Sequence, residues 1–291
     1  MNATGNIDFT LDYVFETLSE LPVFPKVVQK AMAMLDDPDI SIRELAKTLK
    51  FDQALTANIL KITNSAHFGL AQRVSDLETA LPLLGQHQIR QVLMASAAVP
   101  YLTRSMDGYC MNASDLWAHS ICCAVISELL ADKCNFSSPP ALFTSALLHD
   151  IGKIVMELYI GPRLKEAILL VNRENITFCE AEWRVIGGDH AIIGSEILNY
   201  WDFPADIVRA VRNHHDPDLY IQDELSALLA LSNILTVELG IGVGADAFRF
   251  RISPELAEIS GVSEQDIYEI LILGIEKFRE ASDMMEMYNE D

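Results

Sequence analysis

No stretch of eighteen uncharged apolar residues occurs in the 291-residue sequence, so a transmembrane helix is not expected. Met1 to Thr10 contain neither the basic run nor the apolar core of a signal peptide, which leaves the cytoplasm as the expected compartment. Cysteine is sparse and odd in number: Cys110, Cys122, Cys123, Cys134 and Cys179, with no CxxC pair among them. A disulfide framework is therefore not expected, and reduced, buried thiols are. Short segments of alternating apolar and polar residues are scarce, and no Asn-Gly or Asp-Gly turn joins two of them, which argues against a sheet. Basic residues are scarce too. Lys and Arg number 21 against 42 Asp and Glu, a net charge of −21, and a surface that acidic repels nucleic acid and anionic membranes.

What is present is helical. Half of the residues are hydrophobic, enough for a sizeable core. Ser41 with Glu44, Ser75 with Glu78 and Thr177 with Glu180 each match the capping box, in which hydroxyl and carboxylate satisfy the exposed N–H groups of a first helical turn. Apolar residues follow at three- and four-residue spacing, as at Leu55, Ile59 and Ile62, or Ile193 and Ile197. Gly and Pro punctuate the chain from Pro22 to Pro217. The reading is an all-α protein of a dozen or more helices. Charge divides it: residues 41–104 carry seven basic and four acidic side chains, whereas the acidic excess lies after Met106. An N-terminal helical lobe is placed at 1–107, a second helical lobe at 108–245, and a C-terminal helical extension with an acidic, frayed tail at 246–291.

Histidine placement is the most informative feature. His67 and His87 fall in the first lobe and read as structural. His119, His149, His190, His214 and His215 all follow the boundary, beside carboxylates or small residues. Asp115 and His119 are four apart and share a helix face. His149 and Asp150 close the apolar run Ala146-Leu147-Leu148, which buries both at a helix end, and Gly152 allows a close backbone approach. Imidazole nitrogens with carboxylate oxygens suit iron, manganese, nickel or zinc, and a carboxylate such as Asp150 could bridge two metals. Spacing alone leaves this and a set of separately satisfied core histidines as open alternatives. Cys122 and Cys123, one turn after His119, read as core packing, and Trp117, Trp183 and Trp201 as packing anchors.

The order of motifs carries a resemblance. His149-Asp150-Ile-Gly-Lys153, with His119 before it and His190 and His214-His215 after it, resembles the HD superfamily of metal-dependent phosphohydrolases. Leu21-Pro22-Val-Phe-Pro25, Phe51-Asp52-Gln-Ala-Leu-Thr, Asn64-Ser65-Ala-His-Phe-Gly69 and Ala80-Leu-Pro-Leu-Leu-Gly85 narrow it to the HDOD (HD-related output) domain, from about Leu21 to Gly240. The resemblance implies an N-terminal helical lobe packed on an HD-type lobe, a bacterial source, and a signalling role with protein partners. By comparison with the cyclic dinucleotide phosphodiesterases of the superfamily, it implies that Asp115, His119, His149, Asp150, His190, His214, His215 and Asn233 occupy metal-ligand positions. Lys153 matches a phosphate-directed lysine. The metal implied is a divalent transition ion, iron or manganese ahead of nickel or zinc, in a one- or two-metal centre, with a small phosphorylated ligand in reach. Two departures argue against cyclic di-GMP phosphodiesterase activity: Asn233 stands where an aspartate is expected, and the Gly-Tyr-Pro signature is missing after His215.

Three functional alternatives stand beside the signalling reading. A metal-dependent phosphohydrolase would use Lys153 to steady a phosphate, with a metal-activated hydroxide as nucleophile. A di-iron redox enzyme or sensor is the second. The third is a helix-turn-helix DNA reader at Ser41 to Ser65, where Arg43, Lys47, Lys50 and Lys61 accompany Gln53, Asn58 and Asn64; that set is thin, and a solvated face is preferred.

Overall fold

The computed structural model describes residues 24–37, 39–64, 68, 70–244 and 252–289. Among the described residues the first helices are α1 (Lys26–Leu35), α2 (Ile42–Leu49), α3 (Gln53–Thr63), α4 (Leu77–Leu83) and α5 (Gln86–Leu102). A short turn closed by the bridge between Met106 and Met111 leads into α6 (Asp115–Cys134), α7 (Pro139–Leu148), α8 (Gly152–Glu174) and α9 (Phe178–Ile186). Then come α10 (His190–Tyr200), α11 (Ala205–Asn213), α12 (Pro217–Tyr220) and α13 (Glu224–Glu238), and finally α14 (Pro254–Ser260) and α15 (Glu264–Asn289). Among the described residues there is no strand, and the fold is all-α as the periodicity indicates.

Helices α6 and α13 are apolar on nearly every side, the pattern of helices at the centre of a protein. Leu116 to Ser127 of α6 and Leu225 to Thr236 of α13 are all buried. Several of their hydroxyls bond back within the helix, as where Ser232 donates to Leu228 O at 2.7 Å and Thr236 to Ser232 O at 2.8 Å. Helices α7, α13 and α15 pack on α6. One hydrophobic core gathers buried residues from Phe24 to Ala281. Phe24 ties the segment before α1 to the end of α10, its ring 5.4 Å from Trp201 and 5.1 Å from Phe203.

Several local expectations change. Thr177 and Glu180 form the expected capping box, but Ser41 makes no side-chain cap bond, and α4 is capped by Asp76 rather than Ser75. Ser75 loses because the aspartate one residue on accepts from the Thr79 N–H at 2.8 Å. None of the five cysteines is in a disulfide; Cys122 and Cys123 are buried, while Cys110 is exposed and Cys134 and Cys179 are intermediate. Trp117 and Trp201 are buried anchors, but Trp183 is 49% exposed and donates from Nε1 to Asp189 Oδ2 at 2.9 Å. The expected frayed tail is helical through Asn289. At the helix pair α2–α3, Asn58 donates to Ser96 O at 3.2 Å and Asn64 exchanges two bonds with the Val74 backbone, so two of the three amides counted for base reading are used internally.

His67 lies outside the described residues. His87 is not a core residue: its ring is half exposed and Nε2 sits 2.8 Å from Glu128 Oε1, tying α5 to α6. The hydrogen bond to Glu128 raises the His87 pKa against the lowering effect of partial burial. A raised folded-state pKa gives stability that is complete below the ordinary histidine value and is lost as pH rises through the folded value. The wild type should therefore exceed His87→Ala in stability at pH 6, and the gap should close by about pH 9. Urea denaturation at both pH values checks this, and a gap independent of pH would rule out the ion pair as its source.

Candidate metal centre

Backbone contacts bring the histidines together. A Cβ on Gly152 would lie 2.0 Å from the His190 carbonyl oxygen and 2.7 Å from the Gly194 nitrogen. Only a glycine lets the start of α8 touch the start of α10, and this contact sets His190 beside Asp150. Gly242, at φ +57°, lies as close to α6: a Cβ there would come within 2.1 Å of Asp115 O. That approach brings the Ile241 carbonyl to 3.3 Å from His119 Nδ1. His149 and Asp150 occupy the tight turn between α7 and α8, and both are fully buried.

Asp150 is the hub. Its Oδ2 lies 3.3 Å from His149 Nε2, 3.6 Å from His119 Nε2 and 2.6 Å from Lys153 Nζ. Its Oδ1 lies 3.3 Å from His190 Nε2 and 4.0 Å from His214 Nε2. Two candidate ligand groups result, His119–His149–Asp150 and Asp150–His190–His214–His215, with the ligand atoms of each within 4.8 Å of one another. The carboxylate is common to both and turns one oxygen toward each.

The outward ring nitrogens are anchored. His149 Nδ1 donates to Ala146 O at 2.8 Å, His214 Nδ1 to Val211 O at 2.6 Å, and His190 Nδ1 to Glu182 Oε2 at 2.8 Å. Such bonds fix the tautomer and aim Nε2 at the centre, which is how protein structures orient histidine ligands. His149 Nε2, His214 Nε2 and Asp150 Oδ1 are buried without a hydrogen bond. Buried polar atoms of this kind are costly to leave unmatched, and here His149 Nε2 belongs to one ligand group, His214 Nε2 to the other, and Asp150 to both. These residues fit a divalent metal.

Electrostatics divide the histidines. Burial would push the Asp150 carboxyl up, but the charges of His149 and Lys153 and the close approach of the His149 and His190 rings hold it well below the usual carboxylate range. Burial would lower His190, yet Glu182 and Asp150 carry it to about 10, so a metal there would have to displace the proton on Nε2. Burial, and then repulsion from neighbouring imidazoles, keeps His214 and His215 neutral, as ligands must be. Beneath the centre, burial pushes Cys122 up to about 12 and Cys123 well above the ordinary thiol value, so neither offers a thiolate.

The structure thus collects His119, His149, Asp150, His190, His214 and His215, with Lys153 against Asp150. Asn233 joins through Oδ1, 3.0 Å from His119 Nε2. Asp115 does not. Its Oδ2 accepts from the Asn112 backbone N–H at 2.6 Å and the Asn112 amide at 3.0 Å, closing the turn that starts α6. Glu182, which the sequence reading passed over, is fully buried and accepts from the His190 ring, from the His190 N–H at 3.2 Å and from the Tyr109 hydroxyl at 2.6 Å. Its signal was present in the sequence: an acid at the i+4 position from Phe178 and four before Ile186, on the apolar face of α9.

The fold and this centre define an HD-type helical domain. The HDOD domain family model matches residues 21–217, and the chain belongs to that family. Among solved structures it is similar to an HDOD domain protein of unknown function from Geobacter sulfurreducens, at 26% identity and TM-score 0.76, covering 94% of this chain and 99% of that one. A candidate phosphohydrolase from Shewanella amazonensis SB2B shares the fold at 21% identity and TM-score 0.70, covering 93% and 96% of the two chains. An uncharacterized protein of Treponema pallidum is 22% identical over 204 residues, 70% of this chain but 39% of that longer protein. No described helix is long and apolar enough to cross a membrane.

Proposed function

We propose that this chain is a regulatory HDOD domain that holds a divalent transition metal, iron or manganese ahead of nickel or zinc, and works through protein partners in signalling. The observation that carries the metal is the pair of ligand groups that share Asp150, in which His149 Nε2, His214 Nε2 and Asp150 Oδ1 are buried without hydrogen bonds. His119, His149 and Asp150 would hold one ion, and Asp150, His190, His214 and His215 a second. The metal would supply Lewis acidity and positive charge.

Charge favours regulation over cyclic di-GMP hydrolysis. Asp150 is the one carboxylate among these ligands, it is shared with the Lys153 ammonium, and Asn233 contributes a neutral amide. Two divalent ions would be left with a large positive excess, which suits capture of a small phosphorylated ligand better than a balanced hydrolytic centre. Ligand burial points the same way: His119, His149, Asp150, His190 and His214 are at most 3% exposed, and His215 stands at the more open side.

A metal-dependent phosphohydrolase is the second reading, favoured by Lys153, whose ammonium is held at the centre where a phosphate's charge would need neutralising. Elemental analysis after anaerobic loading with Fe(II) or Mn(II) tests the proposal. About one to two ions per chain are expected, falling to background in His149→Ala. A ratio near zero for the wild type would overturn the metal centre. Fast turnover of cyclic dinucleotides by the loaded protein would replace the regulatory reading with the hydrolytic one.

A further inference from the structure

Glu182 is a fully buried carboxylate, flanked on α9 by the buried Phe178 and Ile186. A carboxylate in such surroundings is costly unless every lone pair is met. Here one oxygen takes both donors of His190 and the other takes the Tyr109 hydroxyl. Tyr109 is itself fully buried in the turn that joins the lobes, where the Gly108 N–H donates to Glu157 Oε2 at 2.9 Å. Its ring stands edge-on to His190, centroids 6.5 Å apart at 88°, and 5.7 Å from Lys153 Nζ. The inter-lobe turn therefore reaches the metal centre through one side chain.

Resting on the metal reading above, we propose that Glu182 is a positioning residue of the centre, that it holds His190 as a ligand with Nε2 facing inward, and that Tyr109 holds Glu182. A carboxylate behind a histidine raises its basicity and locks the ring, and loss of such a partner costs ten- to hundredfold in metal affinity. The other outward nitrogens, on His149 and His214, rest on backbone carbonyls. His190 alone of these three has a charged partner, which makes it the histidine most dependent on one side chain.

The test is titration of the metal-free, full-length chain with Co(II), followed by its visible absorption and by chelator competition. Glu182→Gln, which preserves shape, should raise the Co(II) Kd about ten- to hundredfold and alter the ligand-field bands. Tyr109→Phe should shift Kd in the same direction by a smaller factor. Melting temperatures of the metal-free variants show whether folding has changed. Native Kd and native spectrum in a folded Glu182→Gln overturn the inference while leaving the metal reading intact. Should that variant not fold, native Co(II) binding by Tyr109→Phe overturns it instead. A wild type that takes up no Co(II) removes both.

Discussion

Asp150→Asn is expected to destabilise the metal-free protein by about 3–5 kcal/mol, the usual cost of breaking one side of a buried ion pair. Lys153 is 3% exposed and its Nζ sits 2.6 Å from Asp150 Oδ2. The amide leaves that ammonium buried without its counter-charge. The loss comes chiefly from the stranded charge, so adding Lys153→Met should recover most of it, since replacing both partners of a buried pair is often neutral or stabilising. Both variants should lose metal, because the hub shared by the two ligand groups is gone. Urea midpoints in the presence of chelator separate the effects. An unchanged midpoint in Asp150→Asn would falsify the account of Lys153 as a buried, paired cation.

Gly152→Ala should cost about 3 kcal/mol, the upper end of overpacking, and strip the metal as well. The added methyl would meet backbone, the His190 carbonyl at 2.0 Å, and no side-chain rotation relieves that contact. Helix α10 must move off α8, and His190 moves with it, away from Asp150. Gly85→Ala provides the contrast: nothing stands within 4 Å of its added Cβ, so metal content should be native. Thermal unfolding together with elemental analysis checks the pair. A folded, metal-loaded Gly152→Ala would show that the helix contact does not set the centre.

The all-helical architecture was legible because helices announce themselves locally, through apolar spacing and caps. The five second-lobe histidines were legible because five imidazoles beside acids are hard to explain singly, and the HDOD resemblance ordered them. Asp115 shows the limit of spacing. A four-residue interval does place it on the His119 face, but a residue at the first turn of a helix is also courted by the unsatisfied donors before it, and Asn112 wins. Glu182 was missed for the opposite reason: its partners, Tyr109 and His190, are 73 and 8 residues away, and nothing local to α9 names them. The choice of Asp76 over Ser75 as a cap is likewise a competition between neighbours that a pattern does not decide.

The ligands reach Asp150 from α6, the α7–α8 turn, the start of α10 and the end of α11, a span from His119 to His215. A disordered chain cannot present that set, so an ion bound there binds the folded state alone. Thermodynamic linkage then makes stability grow with the logarithm of free metal, by about 1.4 kcal/mol per tenfold rise once the site is saturated. With an ion bound, the centre would in this sense be a gauge that converts metal supply into the stability of the fold.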